Sequence, residues 1–208
     1  MAEREKPQFS EDEDLERARA FWKSNGNSII SGVVLGVAAI LGYNYWQHLQ
    51  KTEGEGASAL FDQITVGEDA TVIADDLIEN YSGSPYVSLG ALAAAKSAFE
   101  AKDIDKAKTY LNWILSNSKD LGMLHIARLR LASVMLSEEK AGEVLTLLEV
   151  AEMSTFASRY HELIGDAHAQ QGDVEQAKEA YQNSLDASSI ASGGRQLIQL
   201  KLENVSGA

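Results

Sequence analysis

The stretch DIDKAK, Asp103–Lys108, recurs further along the chain as DVEQAK, Asp173–Lys178. In both copies an Asp and a branched apolar residue are followed by two polar residues and then by Ala-Lys. Apolar side chains continue at four-residue steps after each Ala: Leu111 and Leu115 in the first copy, Tyr181 and Leu185 in the second. Steps of four keep side chains on one helix face, so each copy predicts an amphipathic helix within a repeated unit.

A weaker third copy lies between these two and sets the repeat period. Its anchor is Val144, which stands where the flanking copies have Ala107 and Ala177. The anchors are separated by 37 and 33 residues, which is the period of helix-turn-helix arrays. Small residues stand twelve positions before the anchors, as expected where two helices cross closely: Ala95, Ala132 and Gly165.

The repeats predict an all-α fold built from an α-solenoid of helix-turn-helix units. Three helix pairs are expected near 86–101 and 103–116, 122–136 and 138–151, and 157–170 and 173–186. Helices near 53–66 and 69–81 precede them. A closing helix near 194–204, with Leu197, Ile198 and Leu202 turned inward, would cap the stack as solenoids require.

A single transmembrane helix is predicted near Ile29–Trp46. This run, IISGVVLGVAAILGYNYW, lies in a stretch without formal charge from Ser24 to Gln50. Its eighteen residues give a length of about 27 Å, close to the roughly 30 Å of a bilayer core. A buried core helix would not need the flanking aromatic residues, and a cleavable signal peptide would end in small residues rather than Tyr and Trp. We therefore expect an anchor that stays in place.

The distribution of basic residues predicts the orientation of the span in the membrane. Arg17, Arg19 and Lys23 precede the span, whereas Lys51 is alone after it before Lys96. This bias predicts a single-pass type II protein with its N-terminus in the cytoplasm. The expected regions are a cytoplasmic acidic tail with a short amphipathic helix at 1–27, ended by Asn25-Gly26, the anchor at 28–47, and a repeat domain across the membrane at 53–208.

Glycines recur within the anchor at a spacing that permits close helix approach. Gly32 and Gly36 form a G-x-x-x-G pair, and small-residue spacing of this kind is found in helix dimers within membranes. Glycine is also simply frequent in spanning helices, so both interpretations stay open. The residues taken to define the anchor are Ile29, Gly32, Gly36, Gly42 and Trp46.

The composition argues against nucleic-acid binding and against most kinds of catalytic or metal site. The net charge of −13 disfavours nucleic-acid binding, and the absence of Cys excludes disulfides and thiolate sites. His161 and His168 share a helix face, but no third ligand stands at a metal-site spacing, and ordinary helix-packing roles are favoured. No nucleotide-binding or nucleophile motif is present. We expect no enzyme activity, no cofactor and no metal.

The third helix pair resembles a tetratricopeptide repeat, since Gly165, Gly172, Ala177, Tyr181 and Leu185 stand at that family's spacings. It departs from the pattern in having His161 and His168 where Trp and Tyr are usual. The resemblance implies that the first helix of each pair lines a concave groove suited to a hydrophobic peptide or a partner helix. The alternative is that these residues pack against the extra N-terminal helices. The groove candidates are Leu89, Leu92, Phe99, Ile126, Leu129, Leu136, Arg159 and Glu162.

Taken whole, the chain resembles the YfgM-type ancillary subunit family of the bacterial Sec translocon. The residues that carry the resemblance are FWKSNG (Phe21–Gly26), GVVLG (Gly32–Gly36), Gly42 and Trp46, followed by the repeats. The resemblance implies an inner-membrane protein with a periplasmic domain. It also implies binding to translocon subunits and to a membrane-anchored periplasmic chaperone of prolyl-isomerase type, with a role in passing emerging secretory chains onward. A scaffold for another envelope assembly is the alternative.

Overall fold

The computed structural model describes residues 11–67, 69–149, 153–187 and 192–207. These residues divide into two compact units, with the boundary between Glu53 and Gly54. Their regular elements are helices, together with a short 3-10 turn at Ser154–Phe156. The helices are α1 (Glu11–Thr65), α2 (Ala70–Asn80), α3 (Pro85–Glu100), α4 (Ile104–Asn117), α5 (Leu121–Ser137), α6 (Ala141–Leu148), α7 (Ala157–Gln171), α8 (Val174–Asp186) and α9 (Ser192–Gly207).

The three predicted helix pairs are confirmed as α3/α4, α5/α6 and α7/α8. Side-chain caps and a glycine determine where several of these helices begin or end. Ser84 and Asp103 cap α3 and α4 by accepting hydrogen bonds from the backbone N–H groups of Tyr86 and Lys106. Gly172 ends α7 with φ of 80°, a conformation that glycine adopts without a steric penalty. Helix α6 is shorter than predicted, and positions 150 and 151 of the predicted helix lie outside the described residues.

The N-terminal helix differs from the prediction. The short amphipathic helix was expected to end at Asn25-Gly26, but α1 continues through both residues and through the predicted separate helix near 53–66. Two side chains, Ser24 and Asn25, donate hydrogen bonds to the carbonyl of Phe21, at 3.1 and 3.3 Å. Such bonds bend helices rather than end them. The Asn-Gly pair therefore does not end the helix, and the change of direction lies further on, between Ser28 and Ile30.

Among the described residues, no single helix combines the length and hydropathy of a membrane span. One bent pair of segments does so by length and composition: Leu15–Ser28 and Ile30–His48, which meet at 46°. The predicted span coincides with the second segment except at Ile29, whose side chain lies outside the described residues.

In the second unit, consecutive helices pack against each other from α2 to α9, and the first helices of successive pairs, α3, α5 and α7, also touch. This is the nearest-neighbour packing of a helical-repeat array. The residues of α1 after Gly54 join it through Ala57, which is buried with Ile73 and Leu77 of α2. The closing helix α9 packs on α8 through buried Ile198. Leu197, expected to face inward, is instead 50% exposed.

The small residues predicted at helix crossings lie where the helices approach most closely. Ala95 and Ala132 are buried in the core. A Cβ atom at Gly165 would lie 2.5 Å from Cε1 of Tyr181 on α8, a distance that no packed structure tolerates. Because the Tyr181 hydroxyl is itself held by Asp166, the ring has little freedom to withdraw. The α7/α8 crossing therefore requires glycine at this position.

We expect Gly165→Ala to lower the free energy of unfolding by about 1–3 kcal/mol, since overpacking forces the Tyr181 ring or the helix backbone to shift. The matched control is Gly142→Ala in α6, where a Cβ would meet only Gln171 at an ordinary 3.5 Å. Alanine's higher helix propensity should leave that variant unchanged or up to about 1 kcal/mol more stable. Urea titration of the full chain in mild detergent measures both, and equal losses would contradict the close-crossing account.

Candidate interaction surface

The groove candidates do not form one continuous strip. Phe99, at the end of α3, is the most exposed of the apolar candidates at 41%. Leu129 is 7% exposed and lies in a core cluster with Val144 and Tyr160, and Glu162 is 6% exposed. These two side chains are covered by the chain itself, so neither belongs to a surface open to a partner. The half-buried candidates are Leu89, Leu92, Ile126 and Leu136, and Arg159 is exposed.

A small cleft forms beside Phe99, between the first helices of the first two pairs. We call this the Phe99 cleft; its volume is about 160 Å³. Apolar side chains line most of it, and cationic groups stand beside them. Its lining residues are Ala95, Lys96, Phe99, Leu111, Arg130, Ser133 and Val134. The arrangement offers an apolar socket with positive charge at its edge, in a protein of net charge −13.

The two cations of the Phe99 cleft were missed by the sequence analysis. Lys96 forms a loose ion pair with Glu100, at 3.7 Å on the surface. Arg130 is exposed and forms no ion pair within the described part of the chain. Each follows a groove candidate by four residues, Leu92 and Ile126 respectively, and so lies one helical turn further along the same face. Including the positions four residues after Leu92 and Ile126 among the groove candidates would have found both.

Three other candidates in the first two pairs lie outside the Phe99 cleft. Leu89 lines a separate cavity of about 330 Å³ with Trp113 and Met123, near the loops that precede α3 and α5. Leu92 packs against the core formed by α3, α4 and α5, and Leu136 packs against the neighbouring core. Among the eight candidates, Phe99 alone lines the Phe99 cleft.

The third pair presents a closed ionic cluster instead of an apolar groove. Lys201 of α9 lies 2.7 Å from Glu162 Oε1 and 2.7 Å from both carboxylate oxygens of Asp166. Arg159 donates a second hydrogen bond to Glu162, and the Tyr181 hydroxyl donates one to Asp166. Burial raises the pKa of Glu162, but the hydrogen bonds from Lys201 and Arg159 outweigh it and leave that pKa below its usual value. The cluster therefore ties the closing helix to α7.

The histidines show no arrangement typical of a metal site. Burial lowers the pKa of His161, which favours the neutral ring. His168 Nδ1 is buried 3.5 Å from Asp173 Oδ2, too far for a good hydrogen bond. No group of three or more metal-ligating side chains occurs among residues 11–67, 69–149, 153–187 and 192–207.

The anchor residues lie on the first unit. A Cβ at Gly32, Gly36 or Gly42 would meet nothing within 4 Å, so the helix faces at these glycines are open. The Trp46 ring lies 6.2 Å from that of Tyr43. Apolar side chains from Ile30 to Leu41 are exposed along this segment.

Comparison with known proteins agrees with the helical-repeat architecture. The sequence model of the tetratricopeptide repeat-like domain family matches residues 19–207. A protein of Aggregatibacter actinomycetemcomitans named ancillary SecYEG translocon subunit is 30% identical over 202 residues, 95% of this chain and 98% of that protein. Proteins of the same name from Neisseria gonorrhoeae and Escherichia coli are 28% and 24% identical, again over 95% of this chain, and over 98% and 97% of theirs. No solved structure gives a significant match.

The paired helices and the family match define a protein with a tetratricopeptide repeat-like scaffold domain. Within that class, the chain belongs to the family of ancillary SecYEG translocon subunits.

The ionic cluster yields a stability prediction. Lys201→Met should cost about 1–3 kcal/mol of α9 docking, because it leaves the buried carboxylate of Glu162 with fewer partners. Lys178→Met is the control: its partner Glu175 is exposed, and such a pair contributes roughly 0–1 kcal/mol. Hydrogen exchange of α9 amides reports the difference. Equal exchange protection of the α9 amides in Lys201→Met and Lys178→Met would show that the ionic cluster does not hold α9 in place.

The same cluster predicts a pH dependence. A carboxyl group whose pKa is lowered on folding contributes stability that is present above its unfolded value, near 4.5, and is lost as the pH falls through the folded value. Exchange protection of α9, corrected for intrinsic rates, should therefore decrease below about pH 4.5 in the parent chain. Lys201→Met should show a smaller loss of protection over the same pH range, because removing the lysine would bring the folded pKa of Glu162 closer to its unfolded value. Coincident pH profiles would refute this role for Lys201.

Proposed function

We propose that this protein is a membrane-anchored ancillary subunit of the bacterial Sec translocon. Its repeat domain would lie in the periplasm, bind translocon subunits and a membrane-anchored chaperone of prolyl-isomerase type, and help to pass exported chains onward. The observation that carries the proposal is the near-full-length match to ancillary SecYEG translocon subunits, from the N-terminal segment through the last helix. The anchor, its orientation and the partner surface are supported by the exposed apolar run, the basic residues before it and the Phe99 cleft.

The exposed apolar run supports the anchor. Seven apolar side chains of the run are each at least half exposed among the residues that the structure describes: Ile30, Val33, Val34, Leu35, Val37, Ile40 and Leu41. Burial of such side chains in lipid is favourable, by a few tenths of a kcal/mol each on insertion scales. Arg17, Arg19 and Lys23 on the N-terminal side favour a cytoplasmic N-terminus, which supports a periplasmic location for the second unit.

The Phe99 cleft is the surface that we assign to partner binding. It combines an aromatic side chain, an apolar floor and the exposed Arg130, and aromatic and Arg side chains are the residue types that dominate binding energies at interfaces. The third pair is a poorer site, because Lys201 already occupies its two carboxylates.

Site-specific photocrosslinking tests the assignment. A photoreactive phenylalanine analogue replaces Phe99 in one variant and Glu175, an exposed position on α8, in the control. Crosslinks to translocon subunits, to the membrane-anchored chaperone or to an arrested secretory chain are expected from position 99 and not from position 175. Equal yields from the two positions would remove the Phe99 cleft from the proposal, and absence of all three partners from both would oppose the translocon role itself.

The anchor has its own test. The full chain should remain with the membrane after alkaline carbonate washing, because apolar burial is insensitive to pH and salt. Val34→Glu/Ile40→Lys, which adds two charges near the middle of the run without changing net charge, should release it. The control Val66→Glu/Val72→Lys makes the same exchange at exposed positions of the second unit and should stay bound. Release of the parent chain would contradict the anchor.

A further inference from the structure

Immediately before the proposed anchor, the segment Leu15–Ser28 of α1 has an apolar face of its own. At about 100° per residue, Leu15, Ala18, Phe21 and Trp22 fall within an arc of roughly 120°. These side chains are exposed, and Phe21 and Trp22 are more than half accessible. The opposite face carries Glu16, Ala20, Ser24 and Asn27. A helix with this division, including two large aromatic residues, is typical of segments that lie at a membrane interface.

Basic residues flank the apolar face on both sides. Arg19 lies beside Leu15 on one edge, with Lys23 next to it, and Arg17 lies beside Phe21 on the other. All three are exposed and form no ion pair with any side chain that the structure describes. Long basic side chains in this position can extend from a buried helix face toward headgroup phosphates. The charge arrangement is therefore complementary to anionic lipid.

The bend after this segment has the geometry that an interfacial helix requires. The two parts of the helix meet at 46°, close to where Ser24 and Asn25 donate to the Phe21 carbonyl. Membrane-spanning helices are tilted by about 20° from the membrane normal on average. When the span tilts by that amount in the direction of the 46° bend, Leu15–Ser28 lies at about 66° from the normal. Fourteen residues, about 21 Å long, would then change depth by only about 8–9 Å. That nearly matches the 5–8 Å thickness of one headgroup layer.

The Trp22 ring lies close to the helix backbone at Gly26. A Cβ at Gly26 would lie 3.5 Å from the indole Nε1, so the ring lies along the helix over Gly26. Asn25, within the apolar arc, has its side-chain amide hydrogen-bonded to Ser24 Oγ and to the Phe21 carbonyl. The apolar face is thus free of unsatisfied amide donors.

We propose that Leu15–Ser28 lies in the headgroup layer of the cytoplasmic leaflet and binds anionic phospholipid through Arg17, Arg19 and Lys23. This inference rests on the anchor proposed above, because the anchor brings the segment to the bilayer. The acidic residues Glu11–Asp14 precede the segment, at the end far from the bend. The segment would fix the rotation and depth of the anchor relative to neighbouring membrane helices.

Depth-dependent fluorescence quenching tests the proposal in the full chain. The chain has three tryptophans, so Trp46→Phe/Trp113→Phe leaves Trp22 as the sole reporter. The protein is placed in phosphatidylcholine nanodiscs with and without phosphatidylglycerol. With phosphatidylglycerol, we expect Trp22 to be quenched more by lipids brominated near the headgroup than by lipids brominated near the chain end. Its quenching by aqueous acrylamide should be correspondingly weak.

Charge variants identify the lipid contact. Each basic residue near an anionic surface contributes about fivefold to attraction, so Arg17→Glu/Arg19→Glu/Lys23→Glu should raise acrylamide quenching of Trp22 at least about threefold. The matched control, Lys102→Glu/Lys119→Glu/Arg195→Glu, makes the same charge change at exposed positions of the second unit and should leave Trp22 protected. The anionic-lipid contact would be overturned if acrylamide quenching of Trp22 were equally weak without phosphatidylglycerol. It would also be overturned if the quenching stayed weak in Arg17→Glu/Arg19→Glu/Lys23→Glu.

A second reporter separates this inference from the anchor. In Trp22→Phe/Trp113→Phe, the remaining Trp46 reports on the far end of the span. Lipid quenching of Trp46 without lipid quenching of Trp22 would overturn the interfacial segment and leave the anchor standing. Absence of lipid quenching from both positions would overturn the anchor and this inference together. Protection of Trp22 only after purified translocon is added would mean that a protein, not lipid, covers the segment.

Discussion

Where α7 crosses α8, the ring of Tyr181 occupies the space that any side chain at Gly165 would need. Close contact of this kind within helix pairs is the constraint on which the repeat domain depends. It fixes the separation of the two helices, which in turn decides which face of the first helix remains available to its neighbours. The first helices α3, α5 and α7 can then touch one another in series. That series brings Phe99 of the first pair beside Arg130 of the second and forms the Phe99 cleft.

The array is not uniform along its length. At the first two pairs, an apolar cleft with cations at its edge is open to solvent. At the third pair, the equivalent face carries Glu162 and Asp166, and Lys201 of the closing helix is ion-paired with both. A charged cluster of this type adds little net stability compared with an apolar contact, but it specifies where α9 docks. The closing helix therefore ends the stack with a particular orientation.

Helix positions were predictable from the sequence because period and capping are local properties. The repeats at Asp103 and Asp173 and the small residues twelve positions before each anchor placed three helix pairs to within a few residues. The Asn25-Gly26 pair was misread as a helix end because such pairs are frequent turn signals, whereas α1 continues through it. Burial within the groove was not predictable. Leu129 is covered by residues of α6 and α7, and Glu162 is bonded to a lysine 39 residues away. Such pairings depend on the packing of separate helices, which spacing alone does not specify.

The central claim is that the acidic N-terminus and the repeat domain lie on opposite sides of a membrane. Because the chain has no cysteine, a single introduced thiol reports its own compartment without background. The most direct measurement labels Ser10→Cys and Lys119→Cys variants in intact spheroplasts with a membrane-impermeant maleimide. The account predicts rapid labelling at position 119, and labelling at position 10 only after lysis. Equal labelling of both positions in intact spheroplasts, or protection of position 119, would contradict it.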